Sequence, residues 1–274
     1  MKILLSFIAA WFTCLAALGA EPAEKKRPAI LAIGAHMDDA EGGVGGILIS
    51  AVEKGYRVVV VVAISDYTTW RPTIGREEQC KADQLALAKR FGFELRFLGY
   101  AYHRLEANVE FKRKLADIAN EVQPEIVFVQ QPEDHWPDHV ASGVAGKDAV
   151  LFQHGLSANV DAKRPSRVFS YCSGANQTIR FEPDFYFDVT PVMARYMDLI
   201  AGCDQCLSGI PAEQRILHET RDLRTGEILR MSPHGWQRHA ECVRWAMQSG
   251  TNARYAIGLK TVWGPRDGRA LWEK

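Results

Sequence analysis

A chain of 274 residues, 47% of them hydrophobic, can bury one substantial core or two small ones, and a single domain is expected. Basic and acidic residues balance at 33 each. No basic run is present that would follow a phosphate backbone, so nucleic acid is excluded as an expected partner.

The N-terminus reads as a processing segment. Lys2 supplies the positive end, Ile3 to Leu18 are nearly all apolar, and the small residues Ala17, Gly19 and Ala20 close the run. Residues 1–20 are therefore expected to be a signal peptide, cut after Ala20 or after Gly19, with 21–274 as the exported domain in a periplasmic or extracellular location. An uncleaved anchor is the alternative, because about 18 apolar residues can just span a bilayer. The polar "EPAEKKRP" that follows favours cleavage. Removal of the segment takes Cys14 with it and leaves Cys80, Cys172, Cys203, Cys206 and Cys242. An odd number in an exported chain means that at least one thiol is unpaired or joined to another molecule. Cys203 and Cys206 form a lone C-x-x-C with no second pair at zinc-finger spacing, and are expected to be packed or disulfide-bonded rather than metal-binding.

Along the rest of the chain, apolar runs alternate with amphipathic stretches. That rhythm predicts β-α units around a largely parallel sheet, a Rossmann-like α/β fold in one domain. Strands are expected at 29–35, 57–65, 94–100, 125–130 and 167–172, and helices at about 41–54, 76–91, 108–122 and 140–154. The third helix is announced by Leu115, Ile118, Ala119 and Val122 at helical spacing. The near-continuous valines of the second strand suit burial on both faces. A helix at 190–206 and a polar, tryptophan-containing C-terminal region follow without an evident linker.

Two clusters carry chemistry. In "AIGAHMDDAEGGVGG", His36, Asp38 and Asp39 fall just past the first strand, where open α/β sheets build their sites. Gly42, Gly43, Gly45 and Gly46 let the next helix begin close against the sheet. A dinucleotide fingerprint does not fit, since the order is G-G-x-G-G and the acidic groups ahead of it repel a pyrophosphate. In "QQPEDHWPDHVASG", His135, Asp138 and His139 follow the fourth strand. Loops on neighbouring parallel strands can converge although about a hundred residues separate them. Two histidines and a carboxylate from different loops suit zinc with positions left for water and substrate. Taken separately, each cluster is also compatible with ordinary loop chemistry, Asp39 capping one helix and His139 starting another.

"AHMDDAEGG" and "PEDHWPDH" resemble the A-H-P-D-D-E and H-P-D-H signatures of the PIG-L/LmbE-like de-N-acetylases, and "FYFDVTPVMARYMDLI" (185–200) is similar to that family's strand-then-helix segment. The resemblance implies a Rossmann-like fold and zinc-dependent removal of acetyl groups from N-acetylglucosaminyl compounds. It implies one Zn2+ per chain, held by His36, Asp39 and His139, with Asp38 as general base. The chemistry agrees with that division: adjacent residues seldom reach one ion in good geometry, so one carboxylate can bind while its neighbour takes a proton from water. Met37 stands where the family usually has proline. Trp136 stands where it usually has the first histidine, so either His135, one residue earlier, takes that catalytic position, or Trp136 is a sugar-stacking platform.

The loop 65–79 follows the second strand at the same end of the sheet and is expected to form a substrate rim. Trp70 and Tyr67 suit a sugar face, and Arg71 or Arg76 a hydroxyl-rich or anionic group. Trp70, Arg76 and Trp136 are the expected substrate contacts. His103 and Arg104 are weaker candidates, and His154, His218, His234 and His239 read as structural or exposed. The expected function is thus an exported zinc N-deacetylase. The alternatives are a zinc amidohydrolase acting on a non-sugar N-acyl substrate, or a non-catalytic exported glycan-binding protein.

Overall fold

A computed structural model describes residues 27–158, 163–174, 177–209, 218–222, 226–266 and 271–272. The expected signal segment, 1–20, lies outside them. Strands β1 (Ala29–Gly34), β2 (Arg57–Asp66), β3 (Phe93–Ala101), β4 (Ile126–Gln130) and β5 (Arg167–Tyr171) are parallel. They alternate with α1 (Asp39–Glu53), α2 (Glu77–Phe91), α3 (Val109–Val122), α4 (Pro137–Leu151) and the short α5 (Gln153–Leu156). The order across the sheet is β3-β2-β1-β4-β5-β9-β6, in which β6 is Phe185–Asp188 and β9 is Ala256–Trp263. This is the expected single, mostly parallel α/β domain. Val58 to Ser65 are all buried, as a strand covered on both faces requires.

The C-terminal region holds more structure than its polar composition suggested. Between β6 and β9 lie α6 (Met193–Ser208), the two-stranded β7 (His218–Arg221) and β8 (Ile228–Met231), and α7 (Pro233–Gln248). Strand β9 inserts antiparallel between β5 and β6. Helices α1, α2, α6 and α7 pack along one side of the sheet, and α3, α4 and α5 pack together on the other. Among the described residues no helix is long and apolar enough to cross a membrane. All five described cysteines are buried free thiols, so Cys203 and Cys206 are packed on α6 rather than bridged.

The expected start of the fourth helix, at residue 140, is three residues late. Pro137 occupies the first helical turn, where its missing N–H costs nothing and its fixed φ is already helical. Asp138 and His139 therefore sit on the first turn of α4, on a rigid element.

The glycine-rich turn works by close approach. A Cβ on Gly43 would lie 2.2 Å from Cδ2 of Tyr171. That ring cannot step aside, because its hydroxyl donates to the Ile33 carbonyl at 2.9 Å. Gly43→Ala should therefore destabilise the protein by about 1–3 kcal/mol through overpacking, outweighing a helix-propensity gain of up to about 1 kcal/mol. Urea unfolding checks this; an unchanged or raised midpoint would mean that α1 can shift on the sheet.

Candidate metal centre

The sheet order reverses at β1, with β2 and β3 on one side and β4 and β5 on the other. Ligand crevices in open α/β sheets form at that switch point, outside the carboxyl ends of the strands. The two loops that leave β1 and β4 there are tied to each other: the Ala35 N–H donates to Gln130 Oε1 at 2.7 Å, and Gln130 in turn donates to Ser173 Oγ at 3.0 Å.

His36, Asp39 and His139 converge in this crevice, all buried, with one ligand atom from each within 4.8 Å of the others. His36 Nδ1 lies 3.0 Å from His139 Nε2. Asp39 faces both rings, Oδ2 at 3.3 Å from His36 Nδ1 and Oδ1 at 3.2 Å from His139 Nε2. It also accepts the His36 N–H at 2.6 Å, which closes the turn. Each ring has a second carboxylate behind it. His36 Nε2 is 3.2 Å from Asp138 Oδ2, and His139 Nδ1 is 3.1 Å from Asp134 Oδ1.

Two imidazole nitrogens turned toward one point, with a carboxylate opposite and carboxylates orienting the far nitrogens, form a donor set that fits zinc. The electrostatics agree. Burial alone would lower the His36 pKa, but the charge of Asp39 and the hydrogen bonds that the ring donates to Asp138 and Asp39 outweigh it and raise it to about 9. Burial likewise opposes, and Asp39 and Asp134 overcome, at His139, which rises to about 10. The site holds positive charge strongly.

Asp138 and Asp134 are themselves fixed. Asp138 accepts from the backbone of His103 at 2.9 Å and of Leu105 at 3.2 Å; Asp134 accepts from Trp136 N at 2.9 Å and Thr178 Oγ1 at 3.0 Å. The signal for them was present, as acidic residues beside each histidine of "PEDHWPDH", but nothing in the sequence says which nitrogen each would meet.

Asp38 stands apart from this network. It precedes α1 without capping it through a side-chain hydrogen bond. Burial first, and the neighbouring Asp39 second, raise its pKa. It lines a cavity of about 820 Å³ together with His36, Asp39 and His139. Tyr67, Trp70, Tyr102 and Trp136 form an aromatic wall of that cavity, with Tyr67, Trp70 and Tyr102 in mutual ring contact. Trp136 stacks on His103, ring centroids 5.3 Å apart. Trp70 and Trp136 thus border the cavity.

Two expected residues do not. His135 is exposed and borders a shallow groove with Leu105 and Pro137, outside the cavity. Its backbone N–H donates to the Gln177 carbonyl, and the flanking Asp134 turns inward, so the His135 side chain leaves on the opposite side. Arg76 is also outside the lining. Its guanidinium donates to the carbonyls of Cys206 and Leu207 at 3.3 and 3.2 Å, satisfying the open end of α6. The opposite wall was missed: Asp204 on α6 and His234, Gln237, Arg238 and Glu241 on α7. Arg238 is buried, pairs with Glu241 at 2.7 Å, and holds the carbonyls of Cys172 and Ser173.

A Rossmann-like α/β protein with a two-histidine, one-carboxylate cluster at its topological switch point is the class defined by this fold and site. Residues 31–150 match the family described as PIG-L: GlcNAc-PI de-N-acetylase. Among solved structures it is similar to the conserved protein TT1542 from Thermus thermophilus, at 19% identity and a TM-score of 0.65, covering 89% of this chain and 98% of that one. It is similar to GalB, the 4-carboxy-2-hydroxymuconate hydratase of Pseudomonas putida, at 20% identity and 0.65, covering 87% and 97%. A third likeness is to N,N'-diacetylchitobiose deacetylase from Pyrococcus horikoshii, at 17% identity and 0.64, covering 96% and 94%. At these identities the likenesses concern the fold.

Proposed function

We propose that the protein is an exported zinc-dependent N-deacetylase acting on an N-acetylglucosamine-type sugar or glycoconjugate. The observation that carries this reading is the uncommitted Asp38 carboxylate beside the His36–Asp39–His139 cluster, in a cavity with an aromatic wall. The family match and the chitobiose deacetylase on the same fold support the direction. A hydratase shares that fold, so the site rather than the fold must carry the argument.

One zinc ion held by His36, Asp39 and His139 would polarise the acyl carbonyl and lower the pKa of water toward about 7. The protein's own groups do the rest. Asp38 takes the proton that water gives up as it adds to the acyl carbon. Asp138 and Asp134 keep the His36 and His139 rings in orientation. Trp70 and Trp136 offer flat faces to a sugar ring and exclude water from one side.

Acetate release by the purified mature protein on a panel of N-acetylated sugars, with and without chelator, tests the reading. Release abolished by chelator and restored by zinc is the expected result. Turnover confined to non-sugar N-acyl compounds would move the substrate class, and binding of glycans without turnover would remove the enzyme. Export has its own check: N-terminal sequencing of the protein recovered from cells should begin near Glu21. A protein that still begins at Met1 would mean an anchor.

A further inference from the structure

The leaving group of a de-N-acetylase is an alkylamine, which cannot depart as an anion at neutral pH and needs a proton delivered to its nitrogen. The cavity wall restricts the donor. His36 and His139 turn one nitrogen into the metal centre and the other onto a carboxylate. The Arg238 guanidinium is engaged by two carbonyls and Glu241 and does not titrate in the working range. Tyr67, Tyr102 and Cys203 are weak acids that burial makes weaker. Trp136 offers only an indole N–H.

His234 differs from all of these. It stands on the first turn of α7, after Pro233, and its Nδ1 is hydrogen-bonded to Oδ1 of Asp204 on α6. Its Nε2 has no protein partner among the described residues, and its side chain is 62% exposed while lining the cavity. A positive imidazole at a helix N-terminus opposes the helix dipole. Asp204 offsets that opposition, and its hydrogen bond moves the His234 pKa upward. The charged groups that face His234 are Asp204, Asp38 from the turn after β1, and Arg238 one turn along α7. His234 and Asp38 thus border one cavity from opposite elements, one with a proton to give and the other with room to take one.

We infer that His234, held by Asp204, is the proton donor to the leaving amine, an inference that rests on the de-N-acetylase reading above. Water adds to the acyl carbon and loses a proton to Asp38. The C–N bond then breaks with its electron pair going to nitrogen, which receives the His234 Nε2 proton. Acetic acid and free amine leave, the acid gives its remaining proton to solvent as it becomes acetate, and the proton on Asp38 returns to His234 through solvent.

The test follows kcat, KM and the pH profile of acetate release for wild type, His234→Ala and Asp204→Asn, with metal content measured in each. In His234→Ala, kcat should fall by about 10²–10⁴-fold with metal content unchanged. The alkaline limb of its kcat/KM profile should vanish, and added imidazole should restore part of the rate. Asp204→Asn should move that limb to lower pH, because it removes the group that raises the imidazole. A merely structural bridge between α6 and α7 would give neither the lost limb nor the rescue. Wild-type kcat and an intact alkaline limb in His234→Ala would overturn this assignment while leaving the deacetylase reading standing. A wild type that releases no acetate would overturn both.

Discussion

Asp38→Asn should lower turnover by about 10²–10⁴-fold while leaving the metal in place. Asparagine keeps the size of the side chain and its capacity to hydrogen-bond but cannot accept the proton of the attacking water. Little structural loss is expected, because Asp38 caps nothing through its side chain and is only half-buried. The matching change at its neighbour should behave differently. Asp39 faces both histidines and closes the turn through the His36 N–H, so Asp39→Asn should lower metal affinity first and activity as a consequence. Metal analysis beside single-substrate kinetics separates the two. Equal metal loss in both variants would show that the pair acts as one ligand unit. Near-full activity in Asp38→Asn would move the base elsewhere, and His135, turned out of the cavity, is not positioned to replace it.

His139→Ala should abolish near-stoichiometric zinc binding, since it removes one of three donors and leaves the buried Asp134 facing empty space. Circular dichroism should show the fold retained, because the ligand loops are also held by Ala35 to Gln130 and by Tyr171 to Ile33. Removing an outer carboxylate should have a graded effect: Asp134→Asn or Asp138→Asn should weaken metal affinity by about 10–100-fold, by freeing a ring rather than deleting a donor. Full zinc content in His139→Ala would take His139 out of the site. Unchanged affinity in both outer variants would mean that the rings are oriented by packing alone.

These two predictions draw on very different amounts of information in the chain. That Asp38 and Asp39 lie at a strand end is a local matter, readable from an apolar run, a turn and glycines. The buttressing of His36 by Asp138 joins residues about a hundred positions apart, and no periodicity reports it. The strands and the first three helices were legible within one to three residues, since each buries a face whose spacing is written in its own segment. Helix α7 and strand β9 were not. The antiparallel insertion of β9 between β5 and β6 is decided by which edge is left open once the parallel strands have assembled.

Sequence alone therefore determined the β-α rhythm, the position of the two clusters at strand ends, and the histidines and carboxylates available there. Only the tertiary structure decided which of those side chains share a cavity. It turned His135 outward, put Arg76 on the end of α6, and brought Asp204 and His234 opposite Asp38. The physical reason lies in the range of the interactions. Strand and helix formation follows from burial patterns within a dozen residues. The direction of a loop side chain, and the wall it faces, follows from packing between segments that meet only when the sheet closes.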